Sequence, residues 1–301
     1  MRYTKELENA LKEINRVTGV PSSLLEDGGV SNNDLIAMIQ AVSNAYKEKN
    51  NRSSILKQWM TGNLSELDFL NGAKRFHIED NMKRVVYLIE VQEDMLDLSM
   101  TVLKNLFPTQ TNIWFFPLTT SKILGIYSSN DSSDSKLDKY AYEFADSLNM
   151  ELMTQVSVSR SNIAYDLISL KAAYNQADTT MTIGKIFYPD QHVYNYANLG
   201  MGGIIYSVPD EICRNYISEN LGPEAVTNPP VSFRDELLNT ANAFLLYSLN
   251  IAETSRQLHM HRNTLLYRLE QIQNDCGLDL RRFDHAMTYK VCSLIYCYLN
   301  S

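Results

Sequence analysis

The sequence predicts an α+β protein in three parts: N-terminal helices, a central α/β domain of ferredoxin-like order, and an all-α C-terminal helix-turn-helix domain. Three observations carry this. Before Met60 the apolar residues recur at helical spacing. Between Val85 and Ala177, short β-rich runs alternate with helical stripes in the order βαββαβα. From Phe233 onward the apolar spacing is helical.

The 301 residues leave room for two or three domains, and 45% hydrophobic residues mark a globular chain. No apolar stretch approaches the roughly 18 residues of a membrane-spanning helix, and no basic and apolar leader opens the sequence, so a cytoplasmic location without membrane attachment is expected. Cys213, Cys276, Cys292 and Cys297 form no CxxC pair and read as core or surface thiols. The net charge of -8 argues against non-specific coating of nucleic acid, which depends on counterion release at a basic surface.

Tyr3, Leu7, Ala10, Leu11, Ile14 and Val17 make an amphipathic stripe that stops at Gly19 and Pro21, and Leu35, Ile39, Val42 and Tyr46 make a second. The two read either as ordinary packing helices or as a dimerising pair. A third helix is expected at Ser54 to Met60, followed by Gly62 and the stretch Leu64 to Phe76, with the N-terminal helical region at 1–62. The central domain, 63–221, opens with the buried strand Val85 to Val91, followed by a helix through Met95, Leu98, Val102, Leu103 and Leu106. Ile113 to Phe116 and Lys122 to Tyr127 form a hairpin, and Leu137, Tyr140, Ala141, Phe144, Ala145 and Leu148 give the clearest helical stripe in the chain. Leu152 to Val158 reads as a strand, and Leu167, Leu170, Tyr174 and Ala177 place another helix. Tyr188, Tyr194 and Tyr196 alternate as strand residues do, and Gly200, Gly202 and Gly203 fit a turn at a helix start better than a phosphate loop, since neither GxxxxGK[ST] nor GxGxxG is present. Three prolines in GPEAVTNPPVS mark 222–232 as a linker, which leaves 233–301 as the C-terminal domain.

Within that domain the run from Asn250 to Leu280 reads as two short helices joined by a tight turn. In the first, Ile251, Ala252, Ser255 and Leu258 form the stripe, with Asn250 and Glu253 as an approximate capping box. The second begins near His261 or Arg262 and buries Leu265, Leu269 and Ile272. Its other face carries Arg262, Asn263, Thr264, Tyr267, Arg268 and Gln271. A major groove admits such a helix, where Arg262 and Arg268 match guanine or phosphate, Asn263 matches adenine, and Thr264 and Tyr267 reach phosphate oxygens. With Arg256 and His261 these are the expected DNA-binding residues, and Lys290 extends the basic face. The plain alternative is a helical hairpin with a solvated face. His259 and His261 lie two residues apart across the turn without a third ligand, which does not make a metal site.

The run HRNTLLYRLEQIQNDCGLDLRRFDHA resembles the C-terminal helix-turn-helix of the CdaR/PucR family of bacterial transcriptional regulators. More loosely, Asn250 to Leu269 is similar to the Fis-type DNA-binding module, with Arg262, Thr264 and Leu265 at matching places. His259 stands where many such turns carry Gly. The segments SRSNIAYDLISLKAAYNQADTTMTIG and IFYPDQHVYNYANLGMGGIIYSVP resemble the degenerate GGDEF-like domain that precedes this module in the family. A working cyclase of that fold needs metal-binding acids at the first strand and in the hairpin. FFPLTTSKILG offers no acid or Gly pair there, so Glu90, Glu93 and Asp94 meet no second acid in the hairpin, and neither catalysis nor a cofactor is expected. The resemblance implies a regulator that binds double-stranded DNA as a homodimer, under a small-molecule effector such as a sugar diacid or another metabolite. The competing reading is a cyclase-like nucleotide-binding signalling protein, without catalysis, whose C-terminal helices bind a protein partner.

Overall fold

A computed structural model describes residues 52–107, 112–129 and 133–301, with positions 36, 39 and 40. The expected helices at Tyr3 to Val17 and Leu35 to Tyr46 lie outside the described residues, those three positions excepted. The rest is an α+β fold with one five-stranded sheet and a helical C-terminal region. It divides into two compact units, residues 1–156 with 160–177 and residues 157–159 with 178–301.

The first unit begins with α1 (Arg52–Met60) and α2 (Glu66–Arg75). Ser65 caps α2 by accepting the Asp68 backbone N–H, and Trp59 stacks on Phe69 with ring centroids 4.7 Å apart. Next come β1 (Arg84–Glu90), α3 (Leu96–Leu106), β2 (Ile113–Pro117), β3 (Lys122–Ser128) and α4 (Asp134–Leu152). β3 runs antiparallel to both β1 and β2, with Glu90 opposite Lys122 and Pro117 opposite Ile123. With β4 (Ser157–Arg160) and β5 (Val193–Asn195) the sheet order is β2-β3-β1-β4-β5. Its first four strands, taken from β4 as 4-1-3-2, have the order of a ferredoxin-like palm.

Burial explains why these residues form these elements. β1 is buried on both faces, as its nearly unbroken apolar run requires. α4 lays Leu137, Ala141, Phe144, Ala145 and Leu148 into the core, and Phe144 meets Tyr87 of β1 edge to face at 5.2 Å. Arg160, almost fully buried, sends Nε to Asp138 Oδ1 at 2.5 Å and Nη2 to Asp134 Oδ1 at 3.4 Å, so the end of β4 is tied to the first turns of α4.

Three local expectations are corrected. The expected strand Leu152 to Val158 starts late, because Leu152 extends the α4 stripe and Met153 closes that helix at φ 49°; the strand is Ser157–Arg160. α3 buries Ser99, Met100 and Leu103 and exposes Leu98 and Leu106, so the apolar stripe was placed about a quarter-turn off. Of the three tyrosines, Tyr194 alone lies in a strand. Tyr188 follows α5 (Leu170–Phe187), and Tyr196 opens a 3-10 turn.

In the second unit the C-terminal part of α5 precedes β5, α6 (Gly200–Tyr206) and α7 (Asp210–Leu221). The Tyr194 ring packs so close to Gly184 that an added Cβ would sit 2.3 Å from it, so that helix position tolerates no side chain. Gly200 and Gly202 lie at the start of α6, as a turn at a helix start requires. Ala225 and Phe233, from two 3-10 turns in the proline-rich stretch, are both buried. Four helices follow: α8 (Asp235–Leu246), α9 (Ile251–Gln257), α10 (Arg262–Cys276) and α11 (Phe283–Leu299). Their shared core holds Phe233, Phe244, Leu265, Leu269, Ile272, Tyr289 and Cys292. All four cysteines are free thiols, and burial pushes Cys292 up to about 12.

Candidate nucleic-acid interface

α9 and α10 form the helix-turn-helix. Asn250 caps α9, its Oδ1 accepting the Glu253 backbone N–H at 3.1 Å. The reciprocal half of the capping box is not made, because the Glu253 carboxylate accepts from Gln257 Nε2 and pairs with Arg256. Of the expected stripe in α9, Ile251 and Ser255, with Leu258 just after it, are partly buried and Ala252 is exposed, whereas the fully buried residue is Thr254; its hydroxyl donates to the Asn250 carbonyl at 2.8 Å. That inward hydroxyl lets a polar residue stand in an apolar position. Asn250→Ala is expected to cost about 1 kcal/mol of stability, read as a lower denaturation midpoint with an unchanged slope.

The turn runs through His259, whose φ of 51° is left-handed, and closes with Met260 N–H on the Ser255 carbonyl at 3.0 Å. The departure from Gly at this place is absorbed as backbone strain. His tolerates the left-handed region better than most residues. His259→Gly is therefore expected to raise stability by only about 0.5 kcal/mol, the strain relief less the entropy of an unfolded Gly. A lower midpoint for that variant contradicts this account of the turn.

His261 then caps α10, its Nδ1 accepting the Asn263 N–H at 3.2 Å. Leu265, Leu269 and Ile272 are buried, as the spacing predicts. Gly277 ends the helix at φ 76° with open space where a Cβ would be, so the backbone angle alone calls for glycine there.

The opposite face of α10 shows Arg262, Asn263, Thr264, Tyr267 and Gln271, all exposed, with Gln271 Nε2 donating to the Tyr267 hydroxyl at 3.3 Å. Arg256 at the end of α9 is also exposed and pairs with Glu253 at 2.9 Å. Arg268 differs from the others. Its guanidinium is half-buried and donates to Thr240 Oγ1 at 3.1 Å and to Glu236 Oε2 at 2.7 Å, both on α8. Lys290 is similarly engaged, with Nζ on Asn242 Oδ1 at 3.0 Å, and burial lowers its pKa. Of the four cations expected on the basic face, Arg256 and Arg262 stand free of the core and the other two brace α8. Glu236 and Thr240 gave no sign in the sequence, since they lie 32 and 28 residues from Arg268.

Residues 237–295 match the PucR C-terminal helix-turn-helix domain. The carbohydrate diacid regulator of Escherichia coli (strain K12) is 27% identical over 228 residues, 71% of this chain and 57% of that protein. The chain thus carries a segment like the PucR helix-turn-helix and is similar to transcriptional regulators of the CdaR/PucR type. Two proteins of Bacillus subtilis (strain 168) are also similar. The purine catabolism regulatory protein is 24% identical over 50% of this chain and 28% of that protein, and the proline-responsive transcriptional activator PutR 25% over 55% and 42%. The chain thus matches about half or less of the length of these relatives.

The Glu93 carboxylate accepts from Thr120 Oγ1 at 3.0 Å, and the β2–β3 hairpin supplies no second carboxylate. Among the described residues no three His, Cys, Asp or Glu side chains converge as a metal cradle, and no helix is long and apolar enough to cross a membrane.

Proposed function

We propose that this chain is a regulator of the CdaR/PucR type that binds specific double-stranded DNA and reads it with α10. The observation that carries the reading is the division of α10 into a buried row, Leu265, Leu269 and Ile272, and an exposed row, Arg262, Asn263, Thr264, Tyr267 and Gln271, inside the segment that matches the PucR helix-turn-helix. Residues in the first turns of such a helix reach base edges, and those farther along reach phosphate. His261 and Arg256 flank the groove-facing end. Arg268 holds α10 against α8, a positioning role beside its expected DNA contact. The central domain, with a palm-like strand order and no hairpin acid, serves in this reading as a GGDEF-like relic without catalysis, and the expected boundaries at 62, 221 and 232 mark functional parts rather than the two compact units, since residues 178–301 pack as one.

Two exposed cations on the expected reading face, Arg256 and Arg262, in a protein of net charge -8 give a single monomer little purchase on DNA. The proposal therefore includes a homodimer. It is expected to protect two half-sites whose centres lie about 10 bp, or a multiple of that, apart. A monomer in sedimentation that protects one half-site contradicts it. Control by a small molecule completes the proposal; the relatives' names mention a carbohydrate diacid, purine catabolism and proline. The decisive assay is binding of the full chain to genomic fragments, with Arg262→Ala as the control.

A further inference from the structure

Beside β2, the first strand in the sheet order, lies a cavity of about 450 Å³. α1 contributes Arg52, Ser53 and Leu56, α3 and the residue after it contribute Lys104 and Phe107, and β2 contributes Ile113 to Phe116. Its size falls within the roughly 300–1,000 Å³ of small-molecule sites. Among the described residues that line it, the polar groups are few and of one sign: two cations, a hydroxyl and no carboxylate.

Arg52 is the unusual member. Its guanidinium carbon lies over the Trp114 ring, 3.4 Å from the centroid. Nε is buried and has no hydrogen-bond partner among the described residues. An unpaired buried donor is costly, and a bound acceptor would satisfy it. Burial also lowers the Arg52 pKa, with Glu79 opposing that shift from outside the cavity.

We propose that this cavity binds a small organic anion with a flat apolar body, of which an aromatic carboxylate is the simplest form. The carboxylate pairs with Arg52, whose planar fork suits it, and with Lys104 at the mouth. The ring lies among Phe107, Trp114 and Phe116. A polyhydroxylated diacid fits poorly, because its hydroxyls would face Leu56, Ile113 and phenyl rings without partners. That such a ligand acts as an effector rests on the regulator reading; that it binds does not.

The test is a titration of the full chain, without DNA, with benzoate, phthalate, 2-naphthoate and indole-3-carboxylate and with their uncharged amides, followed by tryptophan emission and calorimetry. At least one carboxylate is expected to saturate with Kd below about 1 mM, and its amide to bind at least about tenfold more weakly. Arg52→Met is expected to weaken the carboxylate about tenfold or more, Arg52→Lys to restore part of that, and Lys104→Met to weaken it severalfold. If Arg52→Met fails to fold, the exposed Lys104 carries the comparison. Amides that bind as well as the acids, variants that bind like the parent, or a panel without a saturating member each overturn the proposal. Loss of operator binding, by contrast, leaves this site standing.

Discussion

Arg262→Ala is expected to weaken operator binding by about 1–3 kcal/mol, a factor of about 5 to 150, while the thermal midpoint of the chain stays where it was. The fold does not need Arg262. Its side chain is exposed in the first turn of α10, away from Leu265 and Leu269, and His261, not Arg262, supplies the cap. The DNA does need it, because an arginine in that turn reaches guanine O6 and N7 or a phosphate. Arg268→Ala supplies the contrast. There the lost guanidinium also held Thr240 and Glu236 of α8, so that variant is expected to lose stability as well as affinity. Because the Glu236 end of the pair is largely exposed, the ion pair is worth less than its 2.7 Å length suggests. Equal midpoints for the two variants, measured by circular dichroism, would place Arg268 on the outer face after all.

The second large effect lies in the core behind α10. Phe244 of α8 is fully buried in the cluster with Leu265, Leu269, Ile272, Tyr289 and Cys292. Truncation to alanine leaves a cavity bounded by three helices, at a cost of about 3–5 kcal/mol. Domains are stable by only about 5–15 kcal/mol, so Phe244→Ala is expected to leave the helix-turn-helix partly unfolded at 37 °C and to abolish DNA binding without touching the reading face. Urea denaturation and limited proteolysis of the full chain measure this. A loss below about 1 kcal/mol would mean that α8 does not share a core with α10.

What was legible in the sequence had a strong period or a local signal. The stripe from Leu137 to Leu148 became α4, the β-branched run near Val85 became a central strand, and Leu265, Leu269 and Ile272 are the buried row of α10. Asn250 before Ile251 caps its helix as its side chain demands. The misplacements occur where two periods compete or a polar residue turns inward. Leu152 satisfies both a helical stripe and a strand, and only the left-handed Met153 decides for the helix. Ser99 and Thr254 are buried because their hydroxyls donate to carbonyls one turn back, at 2.7 Å and 2.8 Å, so neither stripe could be read from apolar residues alone. The inward turn of Arg268 depends on residues about thirty positions upstream. No pattern within α10 distinguishes it from Arg262. The aromatic cavity at β2 was hidden for the same reason, since Arg52 and Lys104 meet Trp114 only once the chain has folded.

The central claim is that α10 reads sequence, and selection of bound fragments from the source genome tests it most directly. The purified full chain and Arg262→Ala are taken through parallel selections at the same salt. The account predicts that the parent enriches fragments sharing one motif in two half-sites about one helical turn, or a multiple of it, apart, and that the variant loses that enrichment. Enrichment of the same fragments by both proteins, or of none by the parent, would contradict it.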